Sequence, residues 1–132
     1  LVAVFLFASV LVTSNNKVFD RIKGLDDFAE ELSKIINDKD IVISNRIIFS
    51  NISYQMRKKP NRVFMPYKNN TPVTNHFQMS SPLDSDRKDT FFLLGDLGDV
   101  FYLSKKHQGQ LIKEFDVPFN SNQLKLYEVN FK

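Results

Sequence analysis

The sequence contains no cysteine and no tryptophan. Without thiols there is no disulfide framework and no thiolate metal site. That leaves the compartment open, because a protein outside the cytoplasm need not contain cysteine. Two histidines, His76 and His107, are too few for a metal cluster. Catalytic signatures are missing too: there is no G-x-S-x-G, no P-loop, no G-x-G-x-x-G and no H-E-x-x-H. No internal repeat is found. Acid is absent from Ile41 to Leu83, where Arg46, Arg57, Lys58, Lys59, Arg62 and Lys68 give +6, so the remainder carries −3 to reach the net +3.

That acid-free stretch has two readings. One is a solvated helix end followed by a basic loop. The other is a surface facing phosphate or anionic lipid, where each Lys or Arg near the membrane is worth about 1 kcal/mol. Nucleic acid is not expected as a partner. Tyr54, Phe64 and Tyr67 form no recognisable binding motif, and +3 is a small net charge.

What is present fits one globular domain. The chain has 132 residues, 42% hydrophobic and 25% charged, enough for a modest core. Thirteen Phe in a chain without Trp suggest an AT-rich genome rather than chemistry. The chain opens on Leu rather than Met, which points to a fragment or a processed product. Leu1 to Val12 carries no charge. As a helix these residues would span about 18 Å, short of the ~30 Å hydrocarbon core. They read as the end of a severed transmembrane helix, as the h-region of a signal peptide, or as a buried helix of the domain. The signal-peptide reading lacks a basic n-region and an A-x-A site. The buried-helix reading lacks a polar face, so the severed membrane helix is favoured.

The stretch around Asp40 to Arg46 organises the rest. Ile41–Ile43 is a short β-branched run, read as a strand buried on both faces. Ser44 and Asn45 follow it and can cap a helix over Arg46 to Lys59. In that helix Ile48, Phe49, Ile52 and Met56 form one side, widened by Ile47 and Tyr54. Pro60 cannot continue it. Upstream, Leu25, Phe28, Ala29, Leu32, Ile35 and Ile36 make an apolar stripe, with acid in the first turn to suit the helix dipole. Val63 to Tyr67 is a strand that Pro66 marks as an edge or an end. Lys68 to Lys88 is a long loop, of the kind that is usually functional or disordered. Phe91 to Leu94 is a third buried strand. A short helix over Asp99 to Lys106 turns Val100, Phe101 and Leu103 inward, with Gly109 as its stop. Gln110 to Phe115 and Leu124 to Phe131 close the chain as a hairpin.

These elements give an α/β fold: a small sandwich with a mixed, mainly parallel sheet and a C-terminal antiparallel hairpin, preceded by the end of a transmembrane helix. Residues 1–13 are the membrane helix end, 14–24 a linker and 25–132 a soluble α/β domain. Asp84-Ser85-Asp86 is a D-x-D tripeptide, the pattern that holds a metal and a nucleotide diphosphate in one class of glycosyltransferase. In a polar loop it arises easily by chance. Asn51-Ile52-Ser53 and Asn69-Asn70-Thr71 match the glycosylation acceptor pattern, which has no weight in a bacterium.

Four pieces, in this order, carry a resemblance: the hydrophobic Leu1 to Val12, the strand and helix IVISNRIIFSNISYQMR, the loop NHFQMSSPL from Asn75 to Leu83, and the closing LKLYEVNF. Together they resemble the C-terminal soluble segment of bacterial polytopic membrane glycosyltransferases of the protein-mannosyltransferase and aminoarabinose-transferase type. Relatives often have an acidic residue where Asn45 stands here. The resemblance implies a parent enzyme that moves a sugar from a polyprenyl-phosphate donor to an acceptor, at the outer face of the bacterial inner membrane. This chain would be its periplasmic cap. The catalytic base would lie near the N-terminus of the full protein, so no catalytic residue, cofactor or metal is assigned here. Arg57, Tyr67, Lys68, His76 and Gln78 are the candidates for substrate or lipid-phosphate binding, because their groups bind phosphate or sugar oxygens. His76 and Gln78 would equally serve loop carbonyls. Lys17, Arg21 and Lys23 would favour a cytoplasmic flank, although a domain of this size translocates largely regardless of charge. The rival reading is a free-standing α/β binding module with a basic surface facing anions or lipid.

Overall fold

A computed structural model describes residues 24–103, 105–117 and 122–132. The expected membrane helix end, most of the linker and most of the hairpin turn lie outside these residues. Among the described residues no helix is long and apolar enough to cross a membrane.

Helix α1 (Leu25–Ile36) buries Leu25, Phe28, Ala29, Leu32 and Ile36 along the expected stripe and ends at Asn37, whose positive φ breaks the helix. Strand β1 (Ile41–Ile43) is buried throughout. The Asn45 side chain then accepts the Ile47 and Ile48 N–H groups at 3.0 and 3.2 Å, satisfying donors that a first turn leaves free. This starts α2 (Arg46–Gln55). Strand β2 (Val63–Phe64), the single-turn α3 (Phe77–Ser80), β3 (Phe91–Leu94), a 3-10 turn (Leu97–Val100), β4 (His107–Phe115) and β5 (Leu124–Phe131) complete the order.

The five strands form one sheet in the order β2-β1-β3-β5-β4. β2, β1 and β3 run parallel, and the hairpin strands β5 and β4 run antiparallel. The expected α/β architecture with a parallel side and an antiparallel end is therefore present. Ile41, Ile43, Phe92, Leu94, Leu124 and Leu126 form one sheet face, under α1 and α2. The second face, with Val42, Phe91, Leu93 and Val129, has no long helix over it among the described residues. Leu83 from the long connection and Val100 and Leu103 from the 3-10 region close it.

Several boundaries differ from expectation. α2 stops at Gln55, and Arg57 to Lys59 occupy a turn, because the chain must reverse before Val63 pairs with Ile41. Ile47 and Tyr54 are exposed rather than inward, since the buried side of α2 is Ile48, Phe49 and Ile52, continued by Met56 just past its end. β2 is shorter than expected, and Met65 makes only an isolated bridge to Pro82. Among the described residues of the stretch 99–106 there is no α-helix, and Phe101 is 74% exposed. Gly109 does not stop a helix but lies within β4. A Cβ there would come within 2.2 Å of Leu97, so glycine lets the 3-10 turn lie against the strand.

Candidate functional site

In parallel α/β sheets, ligands bind beyond the carboxyl ends of the strands. A cleft of about 490 Å³ opens at that end here. Ser44 follows β1, Met65 to Lys68 follow β2, and Gly98, Asp99, Phe101 and Tyr102 come from the segment after β3. Thr74, Asn75 and Gln78 of the long connection close the outer side. Gly95 (φ 150°) lets the exit of β3 pass close to β1, for a Cβ there would come within 2.5 Å of the Ser44 Oγ.

Tyr102 holds the cleft wall. Its hydroxyl accepts the Tyr67 N–H at 3.0 Å and donates to the Leu83 carbonyl at 3.2 Å. Burial pushes its pKa up, helped by the charge of Asp84 and opposed by the Tyr67 N–H. Tyr102→Phe should cost about 1–3 kcal/mol, because the Tyr67 N–H loses its partner. Urea unfolding measures the loss, and amide exchange should speed up at Tyr67 first.

The loop around the cleft is held by its own polar groups. The Tyr67 hydroxyl donates to the Thr71 carbonyl at 2.9 Å. Asn75 Oδ1 accepts the Phe77 and Gln78 N–H groups at 3.0 and 3.3 Å, which starts α3. The Gln78 amide accepts the Thr74 N–H at 2.8 Å and donates to the Pro66 carbonyl at 3.3 Å. Gln78 thus lines the cleft while fixing its loop. Asp96 and Asp99 form a reciprocal cap on the 3-10 turn, with Gly98 N–H to Asp96 at 2.8 Å and Asp96 N–H to Asp99 at 3.2 Å. Lys68 is different, since it is exposed and no carboxylate among the described residues pairs with it.

Of the five expected binding residues, Tyr67, Lys68 and Gln78 line this cleft. His76 does not line it, and its ring lies 3.9 Å from that of Phe77. Arg57 is at the far end of α2, over the Tyr54 ring at 3.9 Å and donating to the Tyr54 carbonyl at 2.8 Å. The six cations of the acid-free stretch are divided. Arg46 starts α2 at the cleft end, and Arg57, Lys58 and Lys59 follow its last turn. Sequence reasoning missed Ser44, Asn75, Asp99, Phe101 and Tyr102. Ser44 alone carried a usable signal, because it directly follows a buried parallel strand.

Asp84 and Asp86 lie elsewhere, in a separate depression with Arg62 and Arg87. Asp84 Oδ1 accepts the Asp86 N–H at 3.0 Å, as a local turn requires. Among the described residues no group of three or more His, Asp or Glu is placed to hold a metal ion. The cleft therefore offers a lone ammonium, the phenols of Tyr67 and Tyr102, and the Asp99 carboxylate, which accepts the Asp96 N–H, around a polar loop, a set suited to binding a polar group.

No family model, curated protein or solved structure matches this chain.

Proposed function

We propose that the domain is the extracytoplasmic cap of an integral-membrane glycosyltransferase that uses a polyprenyl-phosphate sugar donor, lining the substrate cavity without performing the transfer itself. The supporting observation is that Tyr67, Lys68 and Gln78 meet in one cleft at the carboxyl ends of the parallel strands. The first turn of α1 does not single out that end: Phe28 packs edge-on against Phe115 at 4.9 Å, while the Gln55 amide at the far end of α2 donates to Asp26 at 2.8 Å.

The cleft rim supports the same reading. Ile47 is 48% exposed in the first turn of α2 and Phe101 is 74% exposed at the cleft itself. Val73 and Met79, beside Thr74 and Gln78, are also exposed. Apolar side chains around a lone lysine suit the boundary between headgroup and acyl chain. On this reading the cavity faces the outer leaflet of the bacterial inner membrane, Lys68 meets the lipid phosphate, and Tyr67 meets phosphate or sugar oxygens.

The test uses the whole chain in phosphatidylcholine bilayers, titrated with a short-chain prenyl monophosphate and with the matching prenol. The monophosphate should bind better than the alcohol, and Lys68→Ala should weaken it about tenfold, the order expected for one lost charge-assisted contact. Equal binding of both ligands, or no change in Lys68→Ala, would contradict the proposal.

A further inference from the structure

A second cleft, of about 480 Å³, lies at the outer edge of β2, between the last turns of α2 and the segment before Leu83. Arg57, Lys59 and Arg62 line it together with Asn61, Ser80 and Ser81, and its lining contains no Asp or Glu. Two of these three cations are held by uncharged groups. Arg57 uses one N–H on the Tyr54 carbonyl and stacks on the Tyr54 ring, which fixes its plane and leaves donors over. The Lys59 ammonium rests on the Ser33 hydroxyl, with the Glu30 carboxylate near it on the α1 side. Arg62 reaches a carboxylate, that of Asp40, but Arg87 shares it, and Arg62 remains 71% exposed on its side chain. Lys58 stands between Arg57 and Lys59 and has no carboxylate partner among the described residues.

The groove thus gathers two forked guanidinium groups, an ammonium and three serines, Ser53, Ser80 and Ser81, with no acid in its lining, and its charge is offset only from outside, by Glu30 near Lys59 and by Asp40 on Arg62. Arginine forks match phosphate oxygens in pairs, and hydroxyls complete such a shell. We infer that this groove is a binding site for a phosphate-bearing ligand, separate from the cleft at the carboxyl ends of the strands. Its residues lie in the α2–β2 connection and before Leu83, so occupancy here leaves Lys68 and Tyr67 untouched. The phosphate has two sources, a soluble phosphorylated molecule or an anionic lipid headgroup.

The test uses the full chain in phosphatidylcholine nanodiscs. Inorganic pyrophosphate is the soluble probe, and nanodiscs with added phosphatidylglycerol are the lipid probe. Amide shifts are followed at Arg57, Lys59, Arg62, Ser80 and Ser81. Pyrophosphate binding at these amides supports the inference with a soluble source. A response to phosphatidylglycerol alone supports it with a lipid source. The doubly substituted Arg57→Ala, Lys59→Ala chain should bind whichever probe responds at least about tenfold more weakly. Arg57→Lys, which keeps the charge but not the fork, should fall between. No response to either probe, shifts confined to Lys68 and its neighbours, or equal binding of polyglutamate would overturn it. Failure of the Lys68→Ala test leaves these amides free to respond, so the two proposals fail separately.

Discussion

Replacing Arg87 with alanine should remove about 3 kcal/mol of stability, as expected when one partner of a buried ion pair is lost. Arg87 and Asp40 are 11% and 12% exposed on their side chains and meet at 2.9 Å. Asp40 also accepts the Arg62 N–H at 2.9 Å and the Arg62 guanidinium at 3.2 Å, so its carboxylate keeps some support in the variant. That support places the loss at the lower end for such pairs. Arg87 belongs to the long connection, and Asp40 leads directly into β1. The pair therefore ties that connection to the amino end of the parallel strands, opposite the cleft.

The same pair sets an acid limb to stability. Burial raises the Asp40 pKa, but the Arg62 N–H and the hydrogen bond and charge of Arg87 outweigh it and hold the carboxyl below its ordinary 3.8. The unfolded carboxyl thus takes up its proton at a higher pH than the folded one. Stability from this group is fully present above the ordinary value and is lost as pH falls through the lower folded value. Chemical unfolding between pH 6 and about pH 2 should show this limb in the native chain, and a shallower one in Arg87→Ala. Equal slopes would mean that Arg62 alone holds the carboxylate.

Phe91→Ala should cost about 3–5 kcal/mol, the range for deleting a buried aromatic ring. Phe91 is fully buried in the second face, 6.0 Å from Phe131, and carries the Arg87 guanidinium 5.4 Å from its ring centroid. Arg87 lies equally close to the Phe64 ring, at 5.3 Å. A desolvated cation over a ring couples the two side chains, so Phe91→Ala and Arg87→Ala should be non-additive by about 0.5–2 kcal/mol. Thermal or urea unfolding of the two single variants and the double variant measures this. Additivity would assign the Phe91 loss to packing alone.

The parts of the fold legible in the sequence are those whose signal is local. The α1 stripe repeats at helical spacing because one face meets the sheet, and β1 and β3 are continuous apolar runs because both their faces are covered. Asn45 reads as a cap because its side chain has N–H groups waiting for it. The failures share a different cause. Phe101 is exposed because the segment after β3 makes one 3-10 turn and then leaves the sheet, which no spacing announces. Gly109 is needed because Leu97 packs over it from twelve residues away in the chain.

The candidate site divides along the same line. Tyr67, Lys68 and Gln78 fell into the cleft because they lie just after β2 and in the loop that returns across the strand ends. Arg57 did not, because ten residues of α2 carry it about 15 Å from the carboxyl end of β1. A block of like charge in sequence thus became two separate basic regions in space. Tyr102, which ties Tyr67 to Leu83, was hidden inside a stretch read as a helix face.

The most direct test of the account is the side of the domain that meets lipid. The chain lacks tryptophan, so Phe101→Trp introduces a single reporter at the cleft, and Tyr54→Trp places one at the opposite end of α2. With the full chain in bilayers containing brominated lipid, the residue 101 reporter should be blue-shifted and quenched, while the residue 54 reporter should not. Quenching at residue 54 but not at residue 101, or at neither, would contradict a cleft that opens toward the membrane.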